Sequence, residues 1–145
     1  MTGLPAACIL PVKRHRDPYA EMLLEERKEN GAAVVKINAP RLEARIADQL
    51  AEEIIEAYKP VRALVIDFSG VGFIDSVGMK AVMSVLLYCR KTEGACVLCG
   101  VSEDIMSVFV ITRLNRLLPI VDTQAEALAR VLELKEQSRL RAGNI

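Results

Sequence analysis

The sequence has little aromatic or imidazole chemistry. Its 145 residues include no tryptophan, three phenylalanines, three tyrosines and a single histidine, His15. A core without large rings has to be aliphatic, and a chain of this length buries such a core without disulfides or metal. Because His15 lies in a terminal segment, a serine nucleophile with a histidine base is excluded. The residues indicate no catalytic site, and we predict no metal and no cofactor.

Net charge is missing as well. Nineteen lysines and arginines balance nineteen aspartates and glutamates, so no global positive field attracts nucleic acid, and protein partners are favoured. No apolar run reaches the roughly 18 to 20 residues that span a bilayer. The N-terminus places its apolar part before its basic part, the reverse of a secretory signal. We therefore expect a cytoplasmic protein with no membrane insertion.

The four cysteines do not form a recognisable reactive site. Two of them, Cys96 and Cys99, have the spacing of a redox pair, while Cys8 and Cys89 lie elsewhere. The pair sits inside an apolar run typical of a buried strand, and a reactive pair is activated at a strand-to-helix corner. Residues three apart on a strand also point to opposite faces. We predict that these cysteines pack in the core.

The chain divides into three parts. Residues 1–19 carry a basic cluster, Lys13–Arg16, without any sustained period, and are interpreted as a flexible basic extension. Residues 20–136 form one folded domain, and residues 137–145 are a polar tail. The domain opens with a predicted hairpin, because Asn30-Gly31 between two extended runs tolerates positive φ.

Strands then alternate with helices. A helix over residues 42–58 places one apolar stripe on one side: Ile46, Ala47, Leu50, Ile54 and Ala57. Apolar runs at 61–68, 95–101 and 118–121 predict strands, and helices are predicted after Ser76, Ser102 and Thr123. This order predicts an α/β domain, with a mixed, mostly parallel sheet of about four to five strands and about four helices packed against it. Right-handed crossovers place the strand-to-helix corners at one edge.

The stretch from Val65 to Leu87 holds the residue on which function is expected to depend. A strand-like run leads through a tight connection with Gly70 and Gly72 to Ser76, where a helical pattern begins. One interpretation is that the Ser76 hydroxyl caps the helix and accepts a hydrogen bond from an unpaired backbone N–H. The other is that Ser76 is a regulatory phosphoacceptor at a helix N-terminus. Spacing alone favours the cap.

The helix predicted over residues 76–91 has two unequal faces. Spacing by three and four residues places one apolar set toward the core: Met79, Val82, Met83, Leu86 and Leu87. The opposite face begins at Ser76 and carries a mixed set: Val77, Lys80, Ala81, Ser84, Tyr88 and Lys91. A face that meets only solvent would carry more charge. We therefore interpret this outer face as a docking surface for a protein.

Asp67 offers a rival interpretation, because it ends a central strand as the phosphorylated aspartate of a receiver domain does. Receiver chemistry also requires an acidic pair near the first strand to hold Mg²⁺, and a lysine at a late strand end. The sequence shows neither, which leaves a binding module with a modifiable hydroxyl. A phosphate on Ser76 adds about −1.5 to −2 charges, and a helix N-terminus tolerates that charge.

At these residues the sequence resembles the STAS domains, and among them the bacterial anti-sigma factor antagonists. The matching motif is Phe73-Ile74-Asp75-Ser76-Val77-Gly78-Met79, an apolar pair followed by Asp-Ser-x-Gly before a helix. The segments 41–44, 64–67, 96–101 and 112–122 are also similar, so the resemblance covers residues 21 to 135. Four positions depart from the pattern: Val77 stands where many members have a second serine, Arg113 stands where a glycine is common, and Pro40 and Glu43 replace a frequent glycine and aspartate.

The resemblance implies a single STAS-like domain in a partner-switching cycle. The unphosphorylated protein would bind an anti-sigma factor that is also a serine kinase, and so release the sigma factor. That kinase would phosphorylate Ser76 and a metal-dependent phosphatase would reverse the reaction, which makes the protein a substrate and a binder but not an enzyme. The residues expected to contact the partner are Asp75, Val77, Gly78, Lys80, Ala81, Ser84 and Tyr88.

A second role stays open beside this one. Related STAS proteins act as adaptors or scaffold subunits, in stress-signalling assemblies or in lipid-transport complexes, without a phosphorylation switch. The departures from the family pattern at Val77 and Arg113 are compatible with either role.

Overall fold

The structure is a computed structural model that describes residues 23–143. The predictions for residues 1–19 and for Cys8 lie outside the described residues. The strands are β1 (Leu24–Glu29), β2 (Ala32–Ile37), β3 (Arg41–Leu42), β4 (Ala63–Asp67), β5 (Phe73–Ile74), β6 (Ala95–Cys99) and β7 (Ile120–Val121). The helices are α1 (Ala44–Tyr58), α2 (Ser76–Lys91), α3 (Glu103–Ile111) and α4 (Gln124–Gly143), with a short 3-10 helix at Leu114–Arg116.

The main sheet has five strands in the order β1-β2-β4-β6-β7. β1 and β2 pair antiparallel through the predicted hairpin, in which Asn30 and Gly31 have φ of 55° and 87°. All other neighbours in this sheet are parallel. The predicted α/β architecture with a mixed, mostly parallel sheet and four helices is confirmed.

The helices cover the two faces of the sheet unequally. One face packs against α1, α2 and α3 in the larger apolar core, whose α1 contribution is the predicted stripe from Ile46 to Ala57. The other face is covered by α4, through Ala127 and Val131. β4 and β6 are buried on both faces, which explains their continuous apolar sequences. Cys96 and Cys99 belong to opposite cores, as the strand period predicts.

A second, two-stranded sheet positions the helix starts. Arg41 of β3 lies beside Phe73 of β5, and Leu42 lies beside Ile74, in parallel register. Each strand leads directly into a helix, so the N-termini of α1 and α2 come to lie side by side. Because β3 uses Leu42, α1 begins at Ala44 and not at the predicted position 42.

The last helix continues beyond the predicted boundary. α4 runs to Gly143, through the residues that the sequence suggested as a polar tail. Its second half is bonded to the turns that precede β2 and β6. Lys135 Nζ donates to the Gly31 carbonyl at 3.0 Å, and Ser138 Oγ donates to the Glu93 carbonyl at 2.8 Å. Residues 137–143 are therefore helical, although their composition is polar.

Among residues 23–143, no helix combines the length and the apolar character that crossing a bilayer requires.

Candidate functional site

The polar residues singled out by the sequence gather at the carboxyl edge of the sheet. Asp67 ends β4, Asp75 and Ser76 follow β5, and Ser102 follows β6 and caps α3 through Ile105 N–H. Parallel strands joined by helices on one face bring their carboxyl ends to the same edge. The crossover rule therefore applies to Asp67 and Ser102, whereas Asp75 and Ser76 follow a strand of the separate two-stranded sheet.

Asp75 is the cap of α2, and it also reaches α1. Its Oδ1 accepts from Gly78 N–H at 2.7 Å and its Oδ2 accepts from Ala44 N–H at 3.3 Å. Glu43, at the N-cap position of α1, makes no side-chain cap bond of its own. One carboxylate thus satisfies two helix N-termini and places its negative charge at the positive end of both helix dipoles.

Ser76 is the first residue of α2, and the prediction that it caps the helix is wrong. Its neighbour Asp75 takes that role, because the aspartate has the extended backbone of an N-cap, with φ of −98° and ψ of −175°. The Ser76 side chain is exposed, and its hydroxyl makes no hydrogen bond to any residue between 23 and 143. The hydroxyl is therefore chemically free at a helix N-terminus.

The inward face of α2 is rotated from the predicted one. The buried residues are Gly78, Ala81, Val82, Val85, Leu86 and Cys89. Ala81, predicted on the outer face, is only 5% exposed, whereas Leu87, predicted in the core, is 53% exposed. The periodicity was correct, but the apolar stripe starts at Gly78 and not at Met79.

The small residue Gly78 explains this rotation. A Cβ at this position would overlap the Leu42 carbonyl oxygen and approach Ile74 Cγ1 to 2.8 Å. Glycine therefore allows α2 to lie directly against β3, in a place where any larger residue would hold the helix away. A pattern based on large apolar residues does not find such a contact. Gly78 and Ala81 are thus packing residues, and neither offers its side to a partner.

The accessible part of the predicted partner surface lies in the first half of α2. Lys80 and Ser84 are exposed, and Val77 is half-buried against the core. Ser84 Oγ donates to the Lys80 carbonyl at 3.0 Å, so the two residues occupy one ridge. Asp75, Ser76, Lys80 and Ser84 form a continuous strip, which we call the Ser76 ridge.

Tyr88 does not belong to this ridge. Twelve residues separate it from Ser76, which corresponds to about 18 Å along a helix. Its ring is half-buried and packs edge-on against the Tyr58 ring of α1, with centroids 5.9 Å apart and an interplanar angle of 80°. Burial raises the pKa of the Tyr58 hydroxyl, which also shares a 2.6 Å hydrogen bond with Thr92. Tyr88 thus helps to hold α1 against α2.

Sequence reasoning missed an aromatic residue beside Ser76. Phe73 of β5 is 41% exposed, and the Arg41 guanidinium lies over its ring at 4.1 Å from the centroid. Arg41 is held in turn by Glu43, with Nε 2.9 Å from Oε2. The alternation of a strand was the available signal, because Ile74 points inward and Phe73 must then point outward.

Asp67 is engaged in structural bonds. Its side chain is enclosed, with the residue 6% exposed; Oδ1 accepts from Ser69 N–H at 2.8 Å and Oδ2 accepts from Gln124 Nε2 at 2.7 Å. Burial and the neighbouring Asp67 charge raise the pKa of the Cys99 thiol to about 12. No cluster of three or more potential metal ligands is found among residues 23–143. The two hydrogen bonds of Asp67 thus give this carboxylate a structural role between β4 and α4.

Comparison with known proteins agrees with this arrangement. The STAS domain family model matches residues 24–127. BtrV of Bordetella bronchiseptica, which is named as an anti-sigma factor antagonist, is 29% identical over 92 residues, covering 63% of this chain and 73% of BtrV. Both the two-stranded sheet and the Ser76 ridge lie inside the family match.

Solved structures show the same fold. An anti-sigma factor antagonist from Mycobacterium paratuberculosis aligns with a TM-score of 0.66 and 25% identity, over 74% of this chain and 92% of that one. The Bacillus cell fate determinant SpoIIAA in its phosphorylated form aligns with a TM-score of 0.60 and 21% identity, over 74% and 98% of the two chains. With its sheet, its helices and its Asp-Ser motif in these places, the chain belongs to the STAS domain family.

Proposed function

We propose that this protein is an anti-sigma factor antagonist controlled by phosphorylation of Ser76. In its unmodified form it binds, in the cytoplasm, an anti-sigma factor that is also a serine kinase. That kinase transfers phosphate to Ser76 and then dissociates from the phosphorylated protein. A phosphatase removes the phosphate and restores the form that binds. The protein itself is a binder and a substrate, with no catalytic step of its own.

One observation carries this proposal: Ser76 presents a free, exposed hydroxyl at the start of α2. A kinase needs a hydroxyl that it can reach, and the fold needs a cap that does not use it. Asp75 supplies that cap through Gly78 N–H. The family match and the name of BtrV support the anti-sigma role, and SpoIIAA is a member of the same fold that has been solved with phosphate attached.

The surroundings of Ser76 explain how a phosphate would act. The modification adds about −1.5 to −2 charges beside the Asp75 carboxylate. Backbone N–H groups of the first helical turn stabilise this charge, so the domain stays folded. A partner lying on the Ser76 ridge and on the apolar Phe73 ring would have to desolvate the phosphate. Binding is therefore lost without a change in fold.

The test uses the full chain and the kinase-type anti-sigma factor of the same organism. Ser76→Ala should bind with unchanged affinity, whereas Ser76→Asp should bind at least about tenfold more weakly, a loss of about 1.4 kcal/mol. Thermal unfolding of both variants serves as the folding control. Incubation with ATP should place phosphate on Ser76 and on no other residue, as mapped by mass spectrometry.

Equal binding by both variants, or phosphate elsewhere than on Ser76, contradicts the switch. In that case the phosphorylation-independent adaptor role gains support, and the exposed ridge would serve a constitutive contact.

A further inference from the structure

The interior strand β6 of the main sheet is only partly paired on one of its two sides. β6 spans Ala95–Cys99, but β7 pairs only with its last two residues, Leu98 beside Ile120 and Cys99 beside Val121. The first three residues of β6 are paired with β4 on one side and with no described strand on the other. This half of β6 is therefore a free sheet edge inside an otherwise covered sheet.

Two backbone hydrogen bonds identify which groups of β6 point into the opening. Ala95 N–H donates to the Arg62 carbonyl at 3.1 Å, toward β4, and Leu98 N–H donates to the Pro119 carbonyl at 3.1 Å, toward β7. Because the backbone groups of alternate residues point to the same side of a strand, both groups of Cys96 face the β7 side. Neither group forms a hydrogen bond with any residue between 23 and 143 on that side.

This unpaired edge is enclosed. Cys96 is only 6% exposed, and backbone groups removed from water in this way normally have a hydrogen-bond partner. A groove of about 610 Å³ runs along the edge, with Cys89 and Leu86 of α2 on one side and α4 on the other. Its apolar lining includes Leu86, Leu117, Leu118, Pro119 and Leu134.

The groove has positive charge at its rim. Arg90 at the end of α2 and Arg141 near the end of α4 both line it, and both side chains are exposed. Neither guanidinium forms an ion pair with another described residue. Glu93 is the acidic residue of the lining. Two arginines against one glutamate leave the rim net positive, and arginine pairs preferentially with carboxylates.

We propose that this groove binds an extended, acidic segment of a partner protein, which adds as a strand beside Cys96. The free N–H and C=O of Cys96 supply main-chain hydrogen bonds, the leucines receive alternate apolar side chains, and Arg90 and Arg141 bind acidic ones. The chain's own N-terminal segment is a poorer occupant, because its cluster Lys13–Arg16 has the same sign of charge as the rim.

The groove is separate from the Ser76 ridge. Ser76 and Arg90 lie fourteen residues apart on α2, which corresponds to about 21 Å along the helix. A peptide in the groove would therefore leave the ridge accessible, and two partners can bind at once. Peptide binding should be the same for the wild type and for Ser76→Asp, so this proposal can fail or succeed independently of the phosphorylation switch.

The first experiment selects ligands from a phage-displayed library of random octapeptides, using the full chain as bait. We expect enriched peptides with alternating apolar residues and at least one acidic residue. A synthetic copy of the selected peptide should bind the double variant R90E/R141E at least tenfold more weakly. The matched control is K91E/R130E, which reverses one charge in the last turn of α2 and one on α4, away from the groove.

The second experiment locates the bound peptide. Addition of the selected peptide should shift the backbone amide resonance of Cys96 and slow its hydrogen exchange, and N-methylation of the central peptide amide should abolish the effect. Failure to enrich any peptide, equal loss in both double variants, or protection at residues outside the groove overturns the proposal. So does protection of the Cys96 amide without peptide, which would mean that this chain or a second copy of it already occupies the edge.

Discussion

Two aspartates at the carboxyl edge of the sheet show how similar sequence positions acquire different roles. Asp67 is enclosed, and both of its oxygens are bonded, to Ser69 N–H and to the Gln124 amide. Asp75 also uses both oxygens, toward Gly78 and Ala44, but it is only half-buried and borders an exposed hydroxyl. The first carboxylate connects the sheet to α4, and the second connects α1 to α2.

The surroundings of each aspartate, and not the residue type, therefore indicate whether it has a structural or a functional role. The sequence offers each residue as an acid at a strand end, and it was Asp67 that had the position of a receiver phosphoacceptor. In the folded domain the bonds from Ser69 N–H and from Gln124 occupy both oxygens of Asp67. The consequence at Asp75 is the opposite, because its capping role releases the neighbouring Ser76 hydroxyl.

The largest effect is expected from Asp67→Ala. The substitution removes two hydrogen bonds to an enclosed carboxylate, from the Ser69 N–H and from the half-buried Gln124 amide, so the free energy of unfolding should fall by about 2 to 3 kcal/mol. Urea unfolding measures this loss. Asp67→Asn is the control, because it keeps the shape and one acceptor and should lose less. A loss under about 1 kcal/mol for Asp67→Ala would mean that these bonds exchange freely with water.

Asp75→Ala should have the next largest effect on stability. It removes the cap of α2 and the only side-chain cap bond to Ala44 in the described part of α1, at a cost of about 1 to 2 kcal/mol. Ser102→Ala removes a cap with a single bond, to Ile105 N–H, and should cost less by the same measurement. Equal losses would mean that the contact of Asp75 with α1 contributes nothing to the free energy of unfolding.

Phe73→Ala tests binding in the region of Asp75. The ring is partly exposed and its main contact is with Arg41, so the change in unfolding free energy should stay below about 1 kcal/mol. Affinity for the anti-sigma factor should nevertheless fall about tenfold, as expected for an aromatic anchor. Leu140→Ala, at another exposed apolar position, on α4, is the control and should leave affinity unchanged.

The effect with the smallest consequence at neutral pH is the titration of the Cys99 thiol, because it develops only above pH 9.0. The pKa of the folded Cys99 thiol is about 12, above the ordinary value of 9.0, so folding favours the protonated thiol. Its stabilising contribution is complete below pH 9.0 and is lost as pH rises toward 12. As pH rises from 9.0 to 12, the free energy of unfolding should therefore fall less for Cys99→Ala than for the wild type. If the free energy of unfolding fell equally with pH in both proteins, Cys99 would not be the cause of the pH dependence.

Local chemistry explains which features the sequence predicts well. The hairpin at Asn30-Gly31 depends on two residues that accept positive φ, and the bounds of α2 depend on a sustained helical period. The α/β order follows from apolar runs that alternate with helices. These signals lie within a few residues of each other, so they do not need the tertiary structure.

Features that depend on close approach between distant segments were not predictable in the same way. Gly78 packs on the Leu42 carbonyl, and this contact fixes which face of α2 is buried. The choice of Asp75 over Ser76 as the cap is a difference of one residue in where α2 begins, which the helical period does not resolve. The open half of β6 results from the shortness of β7, which only the sheet register reveals.

The placement of α4 has a consequence for synthesis. One whole face of β2, β4 and β6 is covered by this helix, through residues such as Ala127 and Val131. While the ribosome has not yet released residues 124–143, that apolar face is open to water and to other nascent chains. The domain therefore completes its folding only after α4 has been synthesised, and chains interrupted before α4 should be substrates for chaperones and proteases.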